Sequence, residues 1–297
     1  MMYNLDFINE LNTDIAKNIC ETLHCNESDI SNIEPMKIGL TNFSFKFDVN
    51  GNSYIYRNPG KGTEAFLNRE REAYAENIAN EIGLDKTVIV VHPSKGWKLS
   101  HFIENYSYPN PHDEADQKLS MEMIRRLHDK KIKSPWDFDY VKEADKFIES
   151  LGNNIDLDIH ERIRGISEKL NQEGYEKVLC HNDVWQWNIL KGEDGNNHLI
   201  DWEYAGNAYA ASDVAYFTCN EEFSDEEYIK LAQIYEGHIL SDKEKRYYFA
   251  NLAIVMWYWY VWAVYKESIG NTIDDKNLWY KKAINALEVS EKLYSEV

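Results

Sequence analysis

The sequence predicts an α+β fold in two lobes, a small β-rich N-terminal lobe over residues 1–104 and a larger, mainly helical C-terminal lobe over residues 105–297. Three observations carry that expectation. Residues 37–49 and 53–57 are rich in β-branched and aromatic side chains, and Asn50-Gly51 between them is the strongest short hairpin signal a sequence offers. Residues 105–113 then hold Asn105, Pro109, Asn110, Pro111 and Asp113, a polar breaker cluster of the kind that joins lobes. Beyond it, apolar residues recur at helical spacing over 114–130, 141–151, 159–172 and from 225 onward.

Taken in order, a turn at Gly39-Leu40-Thr41-Asn42 leads into the strand through Phe43. Thr63 can cap a helix whose apolar positions Phe66, Ala73, Ile78 and Ile82 keep near-helical spacing, and Gly83 stands where a left-handed C-terminal cap belongs. Residues 88–91 and 97–103 return to strand pattern around Ser94-Lys95-Gly96, so the N-terminal lobe reads strand, strand, strand, helix, strand, strand. In the C-terminal lobe the helices are interrupted once, by a compact strand-like segment over 178–201.

Composition narrows the function. The chain has 297 residues, with 32 Lys plus Arg against 51 Asp plus Glu and a net charge of -19. Such a field repels phosphate backbones and anionic bilayers, and it favours a cationic ligand or a metal-escorted nucleotide. Neither nucleic acid nor a membrane is an expected partner. Cys20, Cys25, Cys180 and Cys219 show no paired spacing and read as reduced thiols. The first residues lack a basic stretch followed by an apolar one, so no secretory signal is expected. The longest apolar run, residues 252–265, falls short of the roughly 17–25 residues a membrane span needs, and a cytoplasmic protein is the expectation.

Residues 178–213 carry the chemistry. They hold an H-x-D-x-x-x-x-N pattern in His181, Asp183 and Asn188, then, across a turn at Asp194-Gly195, an apolar strand ending at Asp201. Phosphoryl transfer proceeds through a loose transition state, so the protein chiefly positions the attacking oxygen and neutralises phosphate charge through metal ions. A carboxylate for the hydroxyl nucleophile, an amide oxygen for one metal and a carboxylate at a strand end supply those roles. A lone acid at a strand end is ordinarily a turn former, but two with an intervening Asn around a hairpin are hard to explain by folding alone. Gly60-Lys61-Gly62-Thr63 lacks the spacing of a phosphate-binding P-loop.

In these residues, joined to Ile200-Asp201-Trp202-Glu203-Tyr204, the chain resembles the choline/ethanolamine kinase family of the protein-kinase-like superfamily, over nearly its whole length. The resemblance implies a two-lobe protein-kinase-like fold, ATP and magnesium as cofactors, and transfer of the γ-phosphoryl group to the hydroxyl of choline, giving phosphocholine and ADP. It implies that Asp183 orients or deprotonates the acceptor hydroxyl, that His181 braces the loop, and that Asn188 and Asp201 hold magnesium, with Glu203 adding a contact. It places Leu40, Thr41 and Asn42 near the nucleotide phosphates, together with Arg57. Glu72 is the expected partner of Arg57, with Glu70 as the alternative, and Phe102 and Ile103 form the hinge that meets adenine.

The acceptor argument rests on aromatics. A quaternary ammonium donates no hydrogen bonds, so ring faces and a nearby carboxylate must recognise it. The resemblance puts that cage at Trp259, Trp262, Tyr204 and Tyr280, with the counter-charge at Glu221 or Glu222, because Asn220 stands where the acid is expected. A helix apolar on every side is ordinarily just buried, and core packing is the expectation for Trp257 and Tyr260. Trp185-Gln186-Trp187 is bulkier than the family's usual loop. Ethanolamine or thiamine as acceptor, and a binding protein without turnover, are the alternatives.

Overall fold

Asn50 and Gly51 both take positive φ, 52° and 80°, as a tight turn between right-twisted strands requires. They join β2 (Asn42–Val49) to β3 (Asn52–Pro59) in an antiparallel hairpin with Val49 opposite Asn52. The computed structural model describes residues 13–36, 42–60, 67–193 and 195–296. With β1 (Ile30–Met36), β4 (Val88–Val91) and β5 (Lys98–His101), the hairpin forms a five-stranded sheet of order β1-β2-β3-β5-β4. Alternation along β2 and β3 turns Phe45, Phe47, Val49, Tyr54 and Tyr56 to one face, where Trp97 and Leu99 complete the core.

That core is covered by α1 (Thr13–Leu23), which contributes Ile15 and Ile19. The strand–helix order expected for this region includes no such helix; its apolar face amounts to a few residues in a short polar segment. Between β3 and β4 lies α2 (Arg69–Glu81), capped by Asn68, whose side chain accepts from the Arg71 amide. Thr63, expected as the cap, lies outside the described residues, as do Leu40 and Thr41. Gly83 has φ 76°, the left-handed conformation expected past the helix end.

Two units divide the chain. One is Met1–Ser107 with Lys191–His198, the other Tyr108–Leu190 with Leu199–Val297. The inserted piece joins the first unit because β8 (Ile189–Gly192) pairs with β6 (Tyr106–Ser107) and because His198 Nδ1 accepts from the Lys86 amide at 3.3 Å.

The second unit is mainly helical: α3 (Glu114–His128), α4 (Tyr140–Leu151), α5 (Leu157–Gln172), α6 (Ala210–Phe217), α7 (Asp225–Glu236), α8 (Asp242–Ser268) and α9 (Lys276–Ser295). Most starts are capped by an acid or serine; at α8 the Ser241 hydroxyl accepts from the Glu244 amide while the Glu244 carboxylate accepts from the Ser241 amide. α8 is buried without a break from Tyr247 to Trp259, with α4, α5, α6 and α9 packed against it. A short ladder, β7 (Val178–Cys180) with the strand Gly206–Ala208, delivers the chain to the functional loop. A Cβ on Gly206 would meet Phe138 Cβ at 3.1 Å, so the strand passes there without a side chain. Among the described residues no helix is long and apolar enough to cross a membrane.

Candidate active site

β7 ends at Cys180, and the next residues are held almost entirely by side chains. Asp213, fully buried on α6, accepts from the His181 amide at 2.9 Å and the Asn182 amide at 2.7 Å. His128 Nε2 lies 3.0 Å from the same carboxylate, and its Nδ1 lies 2.8 Å from the Tyr235 hydroxyl. Asn182 takes φ 64°, uncommon for a residue with a side chain, and is held there: its Nδ2 donates to the Tyr204 and Gly206 carbonyls at 3.0 and 3.3 Å, and its Oδ1 accepts from Tyr140 at 3.1 Å.

His181 is a brace. Its Nδ1 accepts from the Asp183 amide at 3.2 Å, which leaves Nε2 as the protonated nitrogen donating to the Ile200 carbonyl at 3.0 Å. Both nitrogens are thus spent on backbone. The ring packs edge-on against Trp202 at 4.6 Å, and Trp202 Nε1 donates to the Leu199 carbonyl at 2.8 Å. One imidazole therefore ties the Asp183 loop to the strand end that carries Asp201.

Asn188 Nδ2 donates to the Asp183 carbonyl at 2.9 Å and to its Oδ2 at 3.1 Å, which turns Asn188 Oδ1 to the remaining side. The Asn188 carbonyl accepts from the Ile200 amide at 2.8 Å. The next residue, Asp201, has φ 68°, so this strand end is held in a left-handed conformation. Burial pushes the Asp183 carboxyl well above the usual carboxylate range; the Tyr216 hydroxyl, donating to it, opposes that, while the charges of Asp201 and Glu203 add to it. Asp183, Asn188, Asp201 and Glu203 are therefore gathered by one fold feature. Crowded carboxylates and an amide oxygen are the hard oxygen donors that suit a magnesium-sized cation.

The aromatic residues assemble around Trp259. Its ring centroid lies 5.0 Å from that of Tyr204, 4.8 Å from Tyr216, 5.3 Å from Trp262 and 6.2 Å from Trp279. Tyr280 is elsewhere: it packs on Tyr260 at 4.9 Å and on Trp257 at 6.4 Å. The correction follows from helix geometry, since one residue along α9 turns the side chain by about 100°. The buried stripe Trp279, Ala283, Ala286, Leu287, Ser290 keeps helical spacing and could have identified the inward residue. Glu221 is half-buried and 3.7 Å from His112, and Glu222 pairs with Lys281 at 3.6 Å. It is Asn220 whose Oδ1 accepts from Trp279 Nε1, at 3.1 Å. Trp185 and Trp187 stack on each other at 4.7 Å, with Trp187 half-exposed beside Tyr108.

In the first unit, Arg57 on β3 forms a buried ion pair with Glu72 on α2, and Arg69 Nη1 reaches the same carboxylate at 2.9 Å. Glu70 is exposed, which decides between the two expected partners. Burial pushes Glu72 up, but Arg57, Lys98 and Arg69 outweigh it and hold the carboxyl below its usual range. Arg69 Nη2 also approaches Asn42 Oδ1 at 3.4 Å, a link the spacing alone does not reveal. At the expected hinge, β5 ends at His101; the Phe102 amide is spent on the Ser53 carbonyl at 2.9 Å, and Lys46 Nζ sits 4.3 Å above the Phe102 ring. That amide is thus taken up within the sheet.

A β-sheet unit carrying an Arg–Glu pair and a helical unit carrying this loop define a phosphotransferase of kinase-like fold. The family model for choline/ethanolamine kinase matches residues 33–254, most of the chain. The chain belongs to that family and is an ATP-dependent phosphotransferase with a small-molecule acceptor. Among curated proteins it is similar to protein LicA of Haemophilus influenzae, 24% identical over 278 residues that cover 87% of this chain and 79% of the relative. Among solved structures it is similar to choline kinase LicA from Streptococcus pneumoniae (TM-score 0.76, 22% identity, 94% of this chain and 99% of that one). A LicA structure in complex with AMP matches at TM-score 0.74 and 23% identity, covering 93% and 98%. These likenesses show the shared fold.

Proposed function

We propose that the protein transfers the γ-phosphoryl group of ATP to the hydroxyl of choline, giving phosphocholine and ADP, in the cytoplasm. One juxtaposition carries this reading: the Tyr204 ring lies 5.0 Å from that of Trp259 while the Tyr204 carbonyl accepts from Asn182, the residue before Asp183. An acceptor whose hydroxyl meets Asp183 has its other end against ring faces. A short amino alcohol with a cationic head has that shape, and ring faces attract such a cation without needing hydrogen bonds from it.

In this reading residues 1–104 bind the nucleotide and residues 105–297 bind the acceptor and perform the transfer. Asp183 orients the acceptor hydroxyl and takes up its proton as the new P–O bond forms; His181 keeps the loop in place. Arg57, positioned by Glu72, contacts the nucleotide phosphates, with Asn42 and the neighbouring Leu40 and Thr41, and Ile103 meets adenine. Magnesium fits the donor set of Asn188 Oδ1, Asp201 and Glu203, where it would neutralise phosphate charge. Tyr204, Trp259 and Trp262 receive the head group, and Trp279 with Asn220 replaces Tyr280 and Glu221 behind them.

Ethanolamine is the second reading, favoured by the Tyr204 hydroxyl, which is buried without a hydrogen-bond partner and can accept from an ammonium N–H. ADP release with Mg-ATP is measured against choline, ethanolamine and thiamine. Turnover is expected on choline above the others, and Asp183→Asn is expected to lower kcat by about a hundredfold or more with ATP affinity retained. Faster turnover on ethanolamine would replace the first reading with the second, and binding of Mg-ATP with no turnover on any acceptor would overturn both.

A further inference from the structure

Asn182 decides where Asp183 points. The chain turns only at φ and ψ, so a residue held at φ 64° carries its successor with it. A side chain ordinarily resists that conformation, and here the side chain itself secures it. Asn182 is fully buried, and its amide has a donating and an accepting end. Nδ2 donates to the Tyr204 and Gly206 carbonyls at 3.0 and 3.3 Å, which fixes the loop to the segment that follows Asp201 and Glu203. Oδ1 accepts at 3.1 Å from the hydroxyl of Tyr140, 42 residues earlier in the chain.

Tyr140 is a firm anchor for that bond. It is the first residue of α4, behind the capping Asp139, and is 5% exposed. Its ring stands edge-on to Phe138 at 4.8 Å and to Tyr258 at 5.4 Å. The chain leading to it is tied to the strand Gly206–Ala208: the Phe138 amide donates to the Asn207 carbonyl at 2.9 Å, and Asn207 Nδ2 donates to the Ser134 carbonyl at 2.8 Å. Burial holds the Tyr140 hydroxyl well above its ordinary pKa, so it remains a donor. Taking the hydroxyl away leaves a buried amide oxygen unpartnered, and turning the amide to recover a partner breaks both bonds from Nδ2.

We propose that Tyr140 is a positioning residue for phosphoryl transfer: through the Asn182 amide, its hydroxyl fixes the backbone from which Asp183 reaches the acceptor. Because it acts through another residue, its signature is coupling to Asn182. The inference rests on the role given to Asp183 above and holds for any acceptor alcohol the site turns over.

The experiment measures kcat, the KM for ATP and for the acceptor, and the thermal midpoint for wild type, Tyr140→Phe, Asn182→Gly and the double variant. Rates are taken well below every midpoint, so that each protein is folded. Tyr140→Phe keeps the ring and is expected to lower kcat about tenfold, with both KM values within about twofold. Glycine takes positive φ freely and has no amide for the hydroxyl to hold. In the Asn182→Gly chain the same exchange is therefore expected to change kcat by less than about twofold. Unchanged kcat in Tyr140→Phe overturns the proposal, and so does an equal fall in both backgrounds, which is what a general loosening of the core produces. Should Asn182→Gly turn over too slowly to compare, the split in Tyr140→Phe decides: a fall in kcat alone supports positioning, and a fall together with a rise in both KM values overturns it. Should wild type phosphorylate neither choline, ethanolamine nor thiamine, the acceptor reading fails on its own. Hydrogen exchange over residues 181–184 then decides. Faster exchange on removing the hydroxyl from wild type, but not from Asn182→Gly, supports the link, and an equal change in both backgrounds or none in either overturns it.

Discussion

Two buried polar regions of this chain are built on opposite plans. Around α2, charged groups are packed deep and paired: Arg57 and Arg69 on Glu72, and Lys98 Nζ on Glu76 at 2.6 Å. Around Trp259 the unpartnered groups are neutral: the Tyr204 hydroxyl and the Trp259 and Trp262 indole nitrogens are buried without a hydrogen-bond partner. Burying an ion is tolerable only when its partner is present in the folded chain, so the first plan is a solution to folding. Leaving buried donors unpartnered costs free energy that folding does not recover, so the second plan is explained by something other than the fold. The comparison predicts that changes around α2 will appear in stability and changes around Trp259 in ligand binding.

The largest effect is expected at Glu72. Glu72→Gln leaves Arg57 and Arg69 buried beside a neutral group, and removing one partner of a buried pair costs about 3–5 kcal/mol. Urea unfolding of wild type and variant measures it. A loss below about 1 kcal/mol would break the comparison, because the α2 charges would then be no better justified by folding than the unpartnered donors are.

A smaller effect, with a pH signature, is expected at Glu76. Burial pushes its carboxyl up to about 7, Lys98 opposing that while Asp85 and Glu72 add to it. The folded chain therefore holds a proton that the unfolded chain has released, and stability falls as pH rises from the ordinary carboxylate value of 4.5 toward about 7. The fall is at most about 3.5 kcal/mol, at about 1.4 kcal/mol for each pH unit between the two values. Urea midpoints at pH 5 and pH 8 are expected to differ more in wild type than in Glu76→Gln; parallel behaviour of the two proteins would assign the pH dependence to other groups.

What was legible in the sequence divides along a related line. His181, Asp183, Asn188 and Asp201 lie on one short stretch, so their spacing along the chain already states how a loop and a hairpin bring them together. Arg57 and Glu72 could be matched because a strand and the helix after it offer few candidates. Tyr216 and Trp279 were not legible, because a helix residue is committed to one face only when the neighbouring helices are known. Trp279 and Tyr280 differ by one position and face different partners. Asp213 stood at the end of the motif, but its role as an acceptor for two loop amides depends on α6 returning under β7. At the hinge, strand-forming residues run on to Ile103, whereas cross-strand pairing ends at His101 and Phe102 keeps a single bond to Ser53.

The smallest effect sharpens the comparison most. Trp259→Phe and Trp262→Phe keep a ring and remove the unpartnered indole N–H. In an ordinary core, exchanging Trp for Phe removes volume and destabilises. Here the same exchange also removes a buried donor that has no acceptor, an offset of about 1–3 kcal/mol. Stability is therefore expected to change by less than about 1 kcal/mol in either variant. A phenyl face attracts a cation less than an indole face does, so the choline Kd is expected to rise about threefold to tenfold. Urea unfolding and fluorescence titration, with the remaining tryptophans as reporters, separate the two quantities. A large loss of stability with unchanged affinity would make these rings core in the same sense as Trp257, whose indole nitrogen donates to His160 Nδ1 at 2.9 Å, and would remove the head-group site from the aromatic cluster.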